Sequence, residues 1–183
     1  MSEITAAEAR KRLIEGNERF RQNRGQGPGL LRERHEALKQ GQSPFAAILA
    51  CADSRVAPEI LFDTGLGELF VVRVAGNVAN PSTVASIEFA VSQLGTKLVV
   101  VLGHEMCGAV QAAIAGTRAS TSLGVLLDFI EPAIEGGTVD ETATKNAALQ
   151  HERILTESTI VRESGAEVVT AFFHIETGTV EFH

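Results

Sequence analysis

The chain has only two cysteines, no long apolar run and no block of basic residues, and each absence excludes a class of protein. Two cysteines in 183 residues cannot form the disulfide framework of a small secreted domain. The apolar runs fall short of the roughly 18 residues that a membrane-spanning helix needs. A net charge of −7 disfavours binding to nucleic acids or anionic membranes, because those surfaces are themselves negative. We therefore expect small or uncharged partners.

The N-terminal residues MSEITAAEARKR lack the apolar core of a signal peptide. We therefore expect a cytoplasmic protein, in which cysteines stay reduced. Cys51 and Cys107 are then packing, catalytic or metal-binding residues rather than a disulfide. A length of 183 residues with 44% hydrophobic content suits one compact domain, so we expect a single domain over 1–183.

The first forty residues are predicted to form a helical arm. Thr5 and Glu8 make a capping-box pattern at the start of a helix over residues 5–22, and a second helix is predicted over 30–40. The connector NRGQGPG leaves this arm little to bury against locally. We therefore expect the arm, residues 1–40, to pack on a partner subunit.

Residues 41–183 are predicted to form an α/β core with a central, mostly parallel sheet of four to five strands flanked by helices. Continuous apolar runs at 45–50, 69–74 and 97–102 suit strands buried on both faces, and a helical pattern over 81–95 separates the last two. The predicted crossover therefore makes these strands parallel. Further helices are predicted over 107–115, 122–134 and 140–164, followed by a hairpin from EVVTAFFHI to TVEFH.

Two chemically loaded segments follow two of these strands. Cys51 comes directly after the first strand, and GHEMCG, with His104 and Cys107, follows the third. Open α/β sheets carry their sites at this carboxyl edge. Two thiolates and one imidazole select Zn²⁺, and three protein ligands leave a fourth tetrahedral position open for chemistry. Each cysteine alone is equally well explained as a small buried hydrophobe, so the prediction of a zinc site depends on the three residues together.

These segments resemble the β-class carbonic anhydrases, which carry a Cys-x-Asp-x-Arg segment and a later His-x-x-Cys. Both motifs are present, as CADSR and HEMC, and the resemblance continues through SRVAPEILFD, GELFVVRVAGN, SIEFAVSQLG, GHEMCGAV and ETGTVEF. It implies zinc-dependent interconversion of carbon dioxide and bicarbonate, with Cys51, His104 and Cys107 as the zinc ligands. It also implies a homodimer or a dimer of dimers.

The resemblance further implies a catalytic pair, Asp53 and Arg55, and a backbone donor to a bicarbonate oxygen, the amide of Gly108. Zinc lowers the pKa of bound water, and the resulting hydroxide attacks carbon dioxide. Asp53 would accept a hydrogen bond from that hydroxide and orient it. Arg55 would hold Asp53, because an unrestrained carboxylate can itself become the fourth zinc ligand in a closed state. A surface ion pair for Asp53 and Arg55, and close packing for Gly108, are the structural alternatives.

The sequence departs from two branches of the family. One bacterial branch binds bicarbonate at a noncatalytic site through Trp, Tyr and Arg. This chain has Ile48 at the Trp position and has neither Trp nor Tyr anywhere. Plant-type members have a Gln where Gly65 stands. Two other functions stay open: hydrolysis of carbonyl sulfide or carbon disulfide on the same fold, and a noncatalytic zinc-stabilised interaction domain.

Overall fold

A five-stranded sheet forms the centre of the computed structural model, which describes residues 4–25 and 38–183. In chain order the strands are β1 (Ala46–Ala50), β2 (Leu69–Arg73), β3 (Leu98–His104), β4 (Glu167–His174) and β5 (Thr179–Phe182). Their spatial order is β2-β1-β3-β4-β5, and β5 alone runs antiparallel to its neighbour. The predicted mostly parallel sheet and the terminal hairpin are confirmed.

The strands differ in burial according to their place in the sheet. Every residue of β1 and β3 is buried, as their continuous apolar runs predicted. In β2, by contrast, the first four residues are half-buried and Arg73 is exposed. The expectation that this run is buried on both faces is wrong, because β2 is an edge strand with a neighbour on one side only.

The described helices flank the sheet: α1 (Ala6–Arg21), α2 (Pro58–Leu61), α3 (Pro81–Gln93), α4 (Gly108–Ile114), α5 (Thr121–Asp128), α6 (Val139–Glu157) and α7 (Thr159–Glu163). Two predicted helices are shorter than expected. The helix predicted over 122–134 ends at Asp128, and a 3₁₀ turn that contains a proline follows at Glu131–Ala133. The helix predicted over 140–164 is interrupted at Ser158, whose hydroxyl accepts a hydrogen bond from Val161 N at 3.1 Å and so caps α7.

The N-terminal helix packs on its own chain. The Thr5 side chain caps α1 as predicted, accepting a hydrogen bond from Glu8 N at 3.2 Å. Ala9 and Leu13 are fully buried in the core on one face of the sheet. These two residues of α1 therefore pack within the chain, and packing of the arm on a partner subunit stays a prediction. The second helix, predicted over 30–40, lies largely outside the described residues.

A buried asparagine fastens α1 to the C-terminal hairpin. Asn17 Nδ2 donates to Gly178 O at 3.0 Å and to Leu61 O at 3.2 Å, and Val180 N donates to Asn17 Oδ1 at 2.9 Å. The contacts with Gly178 and Val180 join segments more than 160 residues apart in sequence. Only 4% of Asn17 is exposed, so its side chain satisfies buried backbone groups that water does not reach.

The core is divided by the sheet. One apolar cluster lies on the α1 face, a second lies on the face covered by α3, α6 and α7, and a third lies around Cys51 and Cys107 at the carboxyl ends of the strands.

In the part of the chain that the structure describes, none of the helices has both the length and the apolar character required to traverse a bilayer.

Candidate metal centre

Three potential metal ligands meet at the carboxyl edge of the sheet. Cys51 directly follows β1, and His104 is the last residue of β3, the strand that pairs with β1. Cys107 is the N-cap residue of α4. Because β1 and β3 are parallel neighbours in register, with Ala50 opposite Leu102, their ends deliver both segments to one place. The structure thus brings together the three residues that the sequence singled out.

The three side chains are close together and buried. The two sulfurs and one imidazole nitrogen all lie within 4.8 Å of one another. Cys51 is 4% exposed, Cys107 is 1% exposed and His104 is fully buried. Both cysteines are free thiols rather than a disulfide.

The state of His104 fits metal binding. Its Nδ1 lies 2.8 Å from the carbonyl oxygen of Glu105, and a carbonyl can only accept, so Nδ1 carries the proton. In the neutral imidazole the acceptor is then Nε2, and this nitrogen is buried without a hydrogen-bond partner. A buried polar atom left in this state is costly unless a ligand satisfies it. The donor set and this orphaned nitrogen both fit Zn²⁺.

The environment of Cys51 favours a thiolate. Its sulfur accepts hydrogen bonds from Asp53 N at 3.4 Å and from Gly76 N at 3.3 Å. A hydrogen bond from the Cys107 thiol is the main cause that lowers the pKa of Cys51 to about 4 against the effect of burial, and the neighbouring His104 side chain and the two backbone N–H groups act in the same direction. The same sulfur–sulfur contact, together with burial, raises the pKa of Cys107. A dication would relieve this competition, because it stabilises both thiolates.

Asp53 and Arg55 form a closely matched ion pair beside the cluster. Arg55 Nε donates to Asp53 Oδ1 at 2.9 Å, and Nη2 donates to Oδ2 at 2.8 Å. The Arg55 backbone N–H adds a third bond to Oδ1 at 3.0 Å. These bonds, led by those of the guanidinium, lower the pKa of Asp53 to about 2. Asp53 is thus an ionised carboxylate directed by Arg55, and its oxygens are not part of the three-residue metal cluster.

In the turn between His104 and Cys107, both the backbone N–H and the carbonyl of Met106 bond to side chains from other segments. Met106 has a left-handed backbone conformation, with φ of 51°, which is costly for a residue with a side chain. Its N–H donates to Asp140 Oδ1 at 2.7 Å, and its carbonyl accepts from Arg55 Nη2 at 3.3 Å. Asp140 could not be identified from the sequence, because it lies 34 residues after Met106 and no local pattern links it to the turn.

Arg73 is a second residue that the sequence analysis missed. It ends β2, the strand that pairs with β1. Its Nε donates to Cys51 O at 3.1 Å, and Nη2 donates to Asp53 O at 2.7 Å. Arg73 thereby fixes the backbone that carries both residues. The signal in the sequence was an arginine at the end of a predicted strand, since the neighbouring strand leads to Cys51.

Gly108 is exposed at the first position of α4. A Cβ added there would meet nothing within 4 Å, so close packing does not explain the glycine. N–H groups in the first turn of a helix have no partner within that helix, which leaves the Gly108 amide suited to donate to an anion.

The structure also places the two positions at which the sequence departs from branches of the family. Ile48 is fully buried in β1, and Gly65 N donates to Glu68 Oε2 at 2.7 Å.

Comparison with known proteins agrees with this geometry. Residues 46–180 match the family model for carbonic anhydrase. Carbonic anhydrase 2 of Mycobacterium tuberculosis is 52% identical over 114 residues, which span 62% of this chain and 55% of that relative. The carbonic anhydrase of Mycolicibacterium smegmatis is 37% identical over 185 residues, covering 93% of this chain and 90% of the relative.

Solved structures agree as well. The β-carbonic anhydrase CcaA superposes with a TM-score of 0.73 and 26% identity, covering 93% of this chain and 86% of that one. One of two tetrameric β-carbonic anhydrases from Sordaria macrospora gives a TM-score of 0.71 and 27% identity, covering 81% of this chain and 84% of its own. The sheet order, the Cys-His-Cys cluster and these matches lead to one conclusion: the chain belongs to the β-class carbonic anhydrase family.

Proposed function

We propose that this protein catalyses the reversible hydration of carbon dioxide to bicarbonate and a proton, with Zn²⁺ as its metal. The observation that supports the proposal most strongly is the buried three-ligand cluster, with His104 Nε2 left without a partner beside the Asp53–Arg55 pair. A catalytic zinc site has three protein ligands and one open position, whereas a structural site has four protein ligands.

Cys51, His104 and Cys107 would hold the metal. When bound, Zn²⁺ supplies Lewis-acid chemistry, which lowers the pKa of water and so provides hydroxide. Two thiolates neutralise the dication, whereas a three-histidine site leaves its charge intact and lowers the pKa of water to about 7. We therefore expect hydration activity to favour alkaline pH.

The remaining residues would orient the reactants. Asp53, ionised and aimed by Arg55, would accept a hydrogen bond from the attacking oxygen and direct its lone pair towards the carbon. The resemblance implies a closed state in which that carboxylate becomes a fourth metal ligand. Arg55 would prevent this by holding the carboxylate away from the metal. The exposed Gly108 N–H would donate to a bicarbonate oxygen as negative charge develops there.

The two alternative functions receive less support. A noncatalytic zinc domain would be expected to provide a fourth protein ligand, and the cluster found among residues 4–25 and 38–183 contains three. Hydrolysis of carbonyl sulfide or carbon disulfide would use the same residues on another linear molecule. It therefore differs from carbon dioxide hydration only in which substrate fits.

The assembly and domain organisation are also proposals. We propose a single domain over 1–183, supported by the packing of α1 and β5 in one apolar cluster. We propose a homodimer or a dimer of dimers, supported by the tetrameric state of the related Sordaria macrospora enzymes. A cytoplasmic location stays a prediction.

Stopped-flow carbon dioxide hydration, with zinc quantified on the same sample, tests the proposed function. We expect about one zinc per chain, loss of activity on removal of zinc by a chelator, and recovery when zinc is restored. Carbonyl sulfide and carbon disulfide should be turned over much more slowly in parallel assays. A zinc-loaded protein that hydrates carbon dioxide no faster than buffer would refute the proposal, and faster turnover of either sulfur substrate would favour the corresponding alternative.

A further inference from the structure

One hydrogen bond to Cys51 comes from a distant segment of the chain. Gly76 N donates to Cys51 Sγ at 3.3 Å in a buried environment, across 25 residues of sequence. The bond from Asp53 N is local, since Asp53 lies two residues from Cys51. The Gly76 bond therefore depends on whatever holds the turn that contains Gly76.

That turn has an unusual backbone. It is a single 3₁₀ turn, Ala75–Asn77, in which Gly76 has φ of 69° and ψ of 19°. The next residue, Asn77, is also left-handed, with φ of 44°. Two consecutive left-handed residues, one of them with a side chain, are unfavourable without outside support. A hydrogen bond from Asn77 N to Val74 O at 3.0 Å closes the turn, but it does not fix the direction of the Gly76 N–H.

Outside support comes from α6. Asn146 Nδ2 donates to Gly76 O at 2.9 Å. Gln150, one helical turn further along, donates from Nε2 to Asn146 Oδ1 at 2.8 Å. Both side chains are fully buried. A helix at the core of the fold thus reaches the turn through two amide side chains in series.

The amides have one orientation only. Ala79 N donates to Gln150 Oε1 at 2.9 Å, and Gln150 Nε2 donates to Phe129 O at 2.9 Å. A backbone N–H can only donate and a carbonyl can only accept, so these two contacts assign both ends of the Gln150 amide. Its Nε2 must then face Asn146 Oδ1, which leaves Asn146 Nδ2 for Gly76 O. The direction of every bond in the series follows.

We propose that Asn146, oriented by Gln150, is a positioning residue that keeps the Gly76 N–H on the Cys51 sulfur and so sets the strength of Cys51 as a metal ligand. The inference rests on the proposed zinc site. A hydrogen bond to a ligating thiolate stabilises the negative charge on sulfur and fixes the position of the sulfur, and loss of outer partners of this kind weakens metal binding substantially. The network supplies the Gly76 turn with support that its own backbone lacks.

The test compares Asn146→Ala with Asn17→Ala. Both asparagines are buried and both bond to backbone groups, but Asn17 joins α1 to the hairpin. Asn146→Ala should raise the zinc dissociation constant, measured by chelator competition on the zinc-loaded protein, by about 10–100-fold. In the cobalt-substituted protein, the thiolate-to-metal charge-transfer band should move to longer wavelength, because sulfur loses a hydrogen bond. Asn17→Ala should change neither measurement.

Gln150→Met is a second variant, in which a side chain of similar size replaces the Gln150 amide. It keeps Asn146 but removes the group that orients it, so it should change zinc affinity and the band in the same direction by a smaller factor. This variant also carries the test if Asn146→Ala fails to fold. Unchanged zinc affinity and an unchanged band in the folded variants would overturn the inference. Equal weakening by Asn17→Ala would also overturn it, because the effect would then be general destabilisation.

Failure of the proposed function would look different. If the parent protein bound cobalt without any thiolate charge-transfer band, the metal site itself would be refuted. If the parent showed the band and Asn146→Ala left it unmoved, only the positioning role would be lost.

Discussion

Gly76→Ala tests how tightly the fold constrains the turn beside the metal centre, and Gly95→Ala is its matched control. The two glycines have almost the same left-handed backbone, with φ of 69° and 68°. Alanine in this conformation costs about 1–2 kcal/mol at either position. The two positions differ in the room that is available for a Cβ atom. A Cβ at Gly76 would lie 2.5 Å from Ile130 Cδ1 and 3.2 Å from Ala109 Cβ, whereas one at Gly95 would meet nothing within 4 Å.

The contact with Ile130 sets the expected difference. Ile130 is fully buried, so it cannot move aside without disturbing its neighbours, and overpacking of this kind costs a further ~1–3 kcal/mol. We expect Gly76→Ala to lose about 2–5 kcal/mol of unfolding free energy and Gly95→Ala about 1–2 kcal/mol. Gly76→Ala should also weaken zinc binding, since its N–H bonds to Cys51.

Urea unfolding of the metal-free protein, followed by far-UV circular dichroism at one protein concentration, measures both losses. The chain has no Trp or Tyr, so intrinsic fluorescence is a poor reporter, and removing zinc excludes ligand stabilisation. Adding Ile130→Val removes the clashing Cδ1 and should restore part of the stability of Gly76→Ala. In the parent the same change should cost about 0.5–1.5 kcal/mol. Equal losses at the two glycines, or simple addition of the Ile130→Val cost, would refute the steric argument.

Three further predictions concern the proposed chemistry, and one concerns assembly. Cys107→Ser should lose most of the bound zinc, because a hydroxyl is a poorer ligand than a thiolate; full zinc occupancy in that variant would remove Cys107 from the ligand set. Arg55→Ala should keep its zinc but lose hydration activity, since the carboxylate it holds is freed; a near-normal stopped-flow rate would contradict the pair's role. Because Arg55 lowers the pKa of Asp53 to about 2, the stabilisation from this carboxylate should be present above its ordinary pKa of 3.8 and be lost as pH falls towards 2. Acid unfolding should therefore show this loss in the parent but not in Asp53→Asn, and an identical pH dependence would disprove it. Sedimentation should show a dimer or tetramer, and a stable, active monomer would count against the proposed assembly.

The sequence predicted the ligand cluster well, because strand ends are local features. Cys51 and His104 each follow a continuous apolar run, and parallel pairing brings such ends together whatever the side chains elsewhere. The pairing of Asp53 with Arg55 was predicted from the resemblance, and the separation of two residues explains it physically, since both side chains lie on one turn. Short-range patterns thus sufficed to identify the proposed metal ligands.

The supporting contacts were beyond sequence reasoning. Asp140 reaches Met106, and Asn146 reaches Gly76, across 34 and 70 residues, and only tertiary packing decides which helix faces which turn. The burial of Ala9 and Leu13 within the same chain was not predicted, because a glycine-rich connector allows an arm to fold back as readily as to reach a partner. The half-buried state of β2 was missed because sheet order, rather than composition, determines which strand is at the edge.

The contact between Asn17 and the C-terminal hairpin has a consequence for synthesis of the chain. The α1 helix leaves the ribosome well before Gly178 and Val180, to which Asn17 bonds, because these residues lie more than 160 positions later in the chain. At about 5–20 residues per second, the apolar face of α1 therefore waits many seconds for β5, and helices of this length are marginal alone. Docking of α1 on the hairpin closes a loop of more than 160 residues, which makes it a late step in folding. A nascent chain stalled before residue 178 would expose Leu13 and the sheet face that covers it, the surfaces that chaperones bind.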